Sequence, residues 1–277
     1  MTHHYQYIQI NRNRPVIQLS INRPDQHNAL IPELIQELDK ALDEISVMDE
    51  IFFLVLCGKG HSFCTGADMN WLAGAKLRSL EQNAAHYEMF AQLLLKLYQI
   101  PQVTIALARG NVFGGGIGLM AACDFVLAES HTRFMFSEVK RGLLPATILP
   151  FISKRLSVQK MRHWMLTGKL FTAPEALEAG LVDLMAEEDR LEPTLYDFIA
   201  SFNEASPAAM RKAKKMINQV ASGNINVKDT DLTSTTLAVA LLSPDGQEGI
   251  HSFLEKRKPQ WKDHTLHKKN STLKFNP

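Results

Sequence analysis

Charge of one sign is what this sequence has least of. Lysine and arginine number 30 against 29 aspartates and glutamates, a formal net charge of +1. A balance that close gives no global pull toward nucleic acid or an anionic bilayer. Cysteine is scarce as well. Cys57, Cys64 and Cys123 fit neither a zinc nor a redox spacing. Cys57 ends an apolar run and Cys123 falls in an expected helix, so both read as small buried hydrophobes in a reducing compartment. Long hydrophobic runs are missing. The longest, IFFLVL, is too short to span a bilayer. The opening MTHHYQYIQINRNRP has no apolar secretory core and is not an Arg/Ser-rich transit sequence. His27, His61 and His86 have no partner at i+4 and no Cys/His cluster. These absences predict a soluble, cytoplasmic protein with no metal, no nucleic-acid partner and no membrane partner.

What is present is an ordinary globular balance. The chain has 277 residues, 45% apolar and 21% charged, enough for one large domain or a domain with an appendage. YIQINRNRPVIQLSI alternates and ends in NRP, which predicts a hairpin and a loop. IPELIQELDKALDEIS places Leu34, Leu38, Leu42 and Ile45 on one helical face, with Pro32 in the first turn. IFFLVLCGKG and VTIALARGN read as buried strands, and DFVLAE as a third. Ser79 with Gln82, and Thr172 with Glu175, form capping-box patterns ahead of two further helices. Strand, loop and helix therefore alternate over residues 1–200, which predicts an α/β fold. Over 201–263 the strand patterns stop and three helices are expected. Residues 264–277 read as a polar tail. Arg211, Lys212, Lys214 and Lys215 cluster on one of those late helices and read as a solvated face.

The stretch Gly114-Gly115-Gly116-Ile117-Gly118 follows the second strand. Free amides at a helix start carry the positive end of the dipole, and glycine lets a ligand approach them closely. The pattern is not a dinucleotide fingerprint, because Leu119 stands where the third glycine would be, and no Gly-Lys-Ser/Thr of a phosphate loop follows. A tight turn packed against backbone is the plain alternative. A second loop, SFCTGAD, closes the earlier strand, and Asp68 can cap the helix that begins MNWLAG. The two loops would lie side by side at one edge of the sheet, where α/β folds bind ligands. One amide from each would make a two-donor hole for a negative oxygen.

An ordered set of segments now resembles the enoyl-CoA hydratase/isomerase (crotonase) family over roughly residues 5–263. The segments are INRPDQHNAL, CGKGHSFCTGADM, ARGNVFGGGIGLMAACDFVLAE, FMFSEVKRGLLPATILPF, LTGKLFTAPEALEAGLVD and FLEKRKP. The resemblance implies a spiral of ββα units with C-terminal helices that assemble trimers, often paired into hexamers. It implies a coenzyme A thioester as substrate and no other cofactor. Its oxyanion amides map to Ala67 and Gly115. Arg23, Pro24, Asn28 and Ala29 match the loop beside the coenzyme, with Ala67 and Asp68 near the adenine and Gly114 in the substrate loop. Phe253 and Lys256 match a segment that reaches a neighbouring subunit's coenzyme. SEVKRGLLPATILPF, with Gly118, is similar to bacterial hydratases assigned to methylglutaconyl-CoA and related branched substrates.

The family's hydratases commonly use two glutamates. One maps to Glu138; the other maps to position 118, which is glycine here. Taken alone, Ser137-Glu138 is an ordinary surface pair; the ordered motifs give Glu138 the roles of base for water and acid for C2. Ser137 and Thr147 are candidates to orient the water. Gly118 is expected to leave room for a branched acyl chain. Three readings stay open: a hydratase acting through Glu138, a Δ3,Δ2-enoyl-CoA isomerase, and an inactive thioester-binding paralogue. Trp71 and Met69 read as core or acyl-pocket lining, and Asp124 as a structural hydrogen-bonding group.

Overall fold

A computed structural model describes residues 5–220 and 227–261. The tail expected over 264–277, and the last two residues of the helical region expected over 201–263, lie outside them. Strand β1 (Ile8–Asn13) pairs antiparallel with β2 (Val16–Ile21) as a hairpin. Helix α1 (Pro32–Ser46) starts on its proline and buries Leu34, Leu38, Leu42 and Ile45. Strand β3 (Phe53–Gly58), the short α2 (Met69–Ala73) and the long α3 (Leu80–Gln99) follow, and the Ser79–Gln82 capping box is formed. Next come β4 (Val103–Ala108), β5 (Asn111–Phe113), α4 (Gly115–Ala121), β6 (Phe125–Glu129) and β7 (Arg133–Met135). A 3-10 turn, Glu138–Arg141, leads to α5 (Leu149–Ile152) and α6 (Val158–Thr167). Strand β8 (Phe171–Thr172) enters α7 (Ala173–Glu178) through the Thr172–Glu175 capping box. Strand β9 (Leu184–Ala186) precedes α8 (Leu191–Ala200), α9 (Pro207–Val220), α10 (Val227–Leu241) and α11 (Pro244–Leu254). Among the described residues no strand follows β9, and no helix is long and apolar enough to cross a membrane.

Six strands form one sheet in the order β1-β2-β3-β4-β6-β9, parallel apart from the first hairpin; β5, β7 and β8 form a second, smaller sheet. A strand of the large sheet is followed by a short strand of the small one and then a helix, as in β4-β5-α4. That repetition is the spiral of ββα units. The large sheet is covered on both faces, which is why its strands read as unbroken apolar runs. Leu54, Leu56, Ala106 and Ala108 face the layer of α1 and α3, while Phe53, Val55, Ile105 and Leu107 face Leu191, Leu195 and Ile199 of α8. Each fully buried aliphatic chain contributes about 1.5–3 kcal/mol.

Two local expectations are corrected. The chain does not pass directly from β4 into α4: Asn111–Phe113 leaves the large sheet, pairs with β7, and bridges to Cys64 through Val112. The basic cluster of α9 is only half solvated. Lys212 and Lys215 are exposed, but Lys214 is buried, with Nζ 2.6 Å from the Asp124 carboxylate and 2.8 Å from the Gln102 carbonyl. Arg211 donates to the carbonyls of Asp49 and Ile51 at 3.0 and 2.9 Å. Asp124 is structural, as expected, and also accepts from the backbone and hydroxyl of Thr104.

Candidate active site

The two glycine loops meet. Phe113 donates its amide to the Cys64 carbonyl at 3.0 Å, and a Cβ built on Gly66 would lie 3.3 Å from the Gly115 nitrogen. Gly116 lets the Cys64 carbonyl come so near that a Cβ there would sit 2.2 Å from its oxygen. Gly114, the N-cap of α4, has φ +48° and ψ −118°, a conformation an L side chain rarely adopts. In the neighbouring loop Leu30 donates to the Gly66 carbonyl at 2.8 Å and accepts from the Asp68 amide at 2.9 Å. This one-residue bridge leaves the Ala67 N–H between them pointing away. Neither Ala67 nor Gly115 donates its amide to a protein acceptor among the described residues. Two bare donors from two adjoining loops can hold one negative oxygen between them, with the start of α4 behind one of them.

Glu138 reaches the same place from the turn after β7. Its Oε1 lies 2.8 Å from where a Gly114 Cβ would be, so the carboxylate packs directly against the bare Gly114 backbone. Its Oε2 is buried with no hydrogen-bond partner. Burial lifts the Glu138 carboxyl above the ordinary glutamate range, against smaller opposite pulls from its own backbone amide and Arg141. No hydrogen bond ties the Ser137 or Thr147 side chain to Glu138.

The residues matched to the coenzyme loop also come together. Arg23 Nη1 donates to the Ala29 carbonyl, and Nη2 donates to Asp68 Oδ2 at 3.2 Å, both side chains being about nine-tenths buried. Asp68 Oδ1 caps α2 by accepting from the amides of Asn70 and Trp71 at 2.9 and 3.3 Å. Burial alone would raise the Asp68 carboxyl; the Trp71 amide, Arg23 and the Asn70 amide bring it below the usual range. Asn28 is fully buried and holds the loop: its Oδ1 accepts from the Arg23 amide, and its Nδ2 donates to the carbonyls of Lys59 and Ser62. Tyr7, Arg23, Asp25, Asp68, Asn70 and Trp71 line an open cavity of about 640 Å³ beside this group. Met69, 54% exposed, and Trp71, which carries the Arg78 guanidinium 4.6 Å from its ring centre, are therefore not core.

Gly118 departs from its expected role. The space a side chain would take there is filled: a Cβ would stand 2.2 Å from Ile148 Cγ2 and 3.6 Å from Leu94 Cδ1. Ile148, at the start of α5, is buried. No open volume for a branched chain exists at 118. Ile148 went unnoticed in the sequence because its contact with 118 joins positions 30 residues apart, and no spacing rule reaches that far. Phe253 and Lys256 stand apart from the site, on and just after α11. Both are exposed, and no hydrogen bond or ion pair joins their side chains to the loops described above.

A family model described as enoyl-CoA hydratase/isomerase matches residues 11–264. The chain belongs to the enoyl-CoA hydratase/isomerase family. Among solved structures, an enoyl-CoA hydratase from Shewanella pealeana superposes with a TM-score of 0.88 at 33% identity, covering 93% of this chain and 96% of that one. The bacillaene synthase dehydratase PksH of Bacillus subtilis is 30% identical over 260 residues, 94% of this chain and 98% of its own length. The mevalonyl-coenzyme A hydratase sidH of Aspergillus fumigatus is 27% identical over 257 residues, 91% and 93% of the two lengths. Members of this family act on acyl-CoA substrates, and the fold is theirs.

Proposed function

We propose that this protein is an enoyl-CoA hydratase that adds water syn across the C2=C3 bond of a 2-enoyl thioester through one carboxylate, Glu138. The observation that carries the reading is the position of that carboxylate. It is buried, it has an unpartnered oxygen, and it lies against Gly114, next to the bare amide of Gly115. The thioester carbonyl oxygen takes the N–H groups of Ala67 and Gly115. Glu138 removes a proton from water as the oxygen attacks C3. The electron pair of the double bond moves through C2 onto the carbonyl oxygen, which the two donors hold as an enolate. Glu138 then returns the proton to C2 on the same face, and the carboxylate is restored. Arg23, Ala29 and Asp68 shape the coenzyme side of the cleft.

The match of SEVKRGLLPATILPF favours a branched, methylglutaconyl-CoA-like acyl chain, and one relative is named a mevalonyl-coenzyme A hydratase. Exposed apolar residues on the late helices, Phe253 of α11 among them, and Lys256 just after α11 support a homotrimer or homohexamer in which that segment reaches a neighbour's coenzyme. A second reading has its own support. With glycine at 118, one carboxylate beside the amide pair is enough to carry a proton between C4 and C2, as a Δ3,Δ2-enoyl-CoA isomerase requires. A panel of linear, branched and carboxylated 2-enoyl- and 3-enoyl-CoA thioesters, followed for both products, decides. Hydration of 2-enoyl-CoA is expected. Conversion of 3-enoyl-CoA without hydration would establish the isomerase, and turnover of neither would leave a binding protein.

A further inference from the structure

Helix α4 supplies an amide to the site at Gly115 and turns the same side toward its neighbours one turn later, at Gly118. Hydrocarbon meets it at both positions. A Cβ at Gly115 would lie 2.9 Å from Leu30 Cδ1 and 3.4 Å from Phe90 Cζ; at Gly118, Ile148 Cγ2 and Leu94 Cδ1 take their place. All four of these side chains are buried. A thioester whose oxygen sat on the Gly115 amide would start its acyl chain beside this wall. Phe90 and Leu94 lie in the long α3, and Leu30 is held by its bridge to Ala67. Ile148 comes instead from the short α5 segment, only ten residues after Glu138. It is the side chain that stands in the space glycine leaves at 118.

We infer that Ile148 is a specificity-determining residue, whose side chain fills the space over Gly118 and so limits the bulk of the acyl chain beside α4. The inference rests on the proposal that the site takes acyl-CoA thioesters. Its null is that Ile148 only fills the core. The two differ in what a smaller residue does. A core filler lowers stability and slows every substrate alike. A pocket wall changes the ratio between substrates of different shape.

The experiment measures kcat/KM for but-2-enoyl-CoA and 3-methylbut-2-enoyl-CoA in the wild type, Ile148→Ala, Ile148→Leu and Gly118→Ala/Ile148→Ala. The branched-to-linear ratio is expected to rise about tenfold in Ile148→Ala, by more than about twofold in Ile148→Leu, and to fall back when the Cβ added at 118 refills the space. Ile148→Leu removes Cγ2 at nearly constant volume and keeps the question answerable should the alanine variant fail to fold. A ratio within about twofold of wild type in every folded variant, or a fall in the ratio, overturns the inference. Should the wild type turn over neither thioester, the hydratase reading fails on its own. The same thresholds then apply to the ratio of dissociation constants for 3-methylbutanoyl-CoA and butanoyl-CoA, measured by titration calorimetry in the same variants.

Discussion

Glu138 places a requirement of the chemistry and a cost to the fold on one side chain. Its carboxyl is held above the ordinary glutamate range by burial. A carboxyl with a raised folded-state pKa stabilises the fold while protonated, fully below its unfolded pKa, and loses that contribution as pH rises through the folded value. The charged base used at neutral pH is therefore the less stable form. Glu138→Gln should lower kcat by about 10³-fold with acyl-CoA affinity retained. It should also melt higher than wild type at neutral pH, with the gap closing below the ordinary glutamate range. Calorimetry across pH, beside steady-state kinetics, checks both. In the wild type the acid limb of kcat/KM should fall at a pH above that of an ordinary glutamate. Near-normal turnover in the variant would sink the single-carboxylate mechanism.

The elements test a different kind of contact. Helix α9 is pinned by Lys214, whose Nζ reaches Asp124 at 2.6 Å, while Asp124 also holds Thr104 of β4. Removing one partner of such a pair leaves a poorly solvated charge. Lys214→Met should cost about 3 kcal/mol in urea unfolding, and adding Asp124→Asn should recover part of it. A loss below about 1 kcal/mol would mean that water already screens the pair. The same elements divide what the sequence discloses from what it hides. Capping boxes at Ser79 and Thr172, the apolar stripe of α1 and the runs of β3 and β4 are local patterns, and each forms where its residues predict. Asp68 is visible as a cap for the same reason. The inward turn of Lys214, the departure of β5 into a second sheet and the filling of Gly118 by Ile148 depend on residues far away in sequence. Nothing in the local spacing marks which lysine of RKAKK is dry or which glycine is roofed. The glycines of two neighbouring loops predict a pair of donors, but which amides they are, Ala67 and Gly115, comes only through motif order, since a bare N–H has no side chain to announce it.

At the scale of the molecule, the exposed apolar residues gather on the last helices. Leu237, Leu242, Phe253 and Leu254 are each 70–82% exposed. Helices that leave this much hydrocarbon in water mark an association surface. Light scattering is expected to give three or six chains. Leu237→Asp with Leu242→Asp should reduce the count and weaken acyl-CoA binding with it, because Phe253 and Lys256 would lose the neighbour they are proposed to serve. A wild-type chain that stays single at micromolar concentration would overturn the assembly.

The one-residue bridge between Leu30 and Ala67 has a further consequence, for how the site can be observed. One neighbouring amide of each donor is bonded, Asp68 to Leu30 and Gly114 to Met135, while those of Ala67 and Gly115 are not. Deuterium should therefore enter positions 67 and 115 quickly and positions 68 and 114 slowly, although each pair is adjacent in the chain. A saturated acyl-CoA that seats its carbonyl between the two donors should slow those two amides selectively. The protein thus carries a pair of built-in isotopic reporters, readable by NMR without turnover, that register whether a thioester oxygen has arrived where the chemistry needs it.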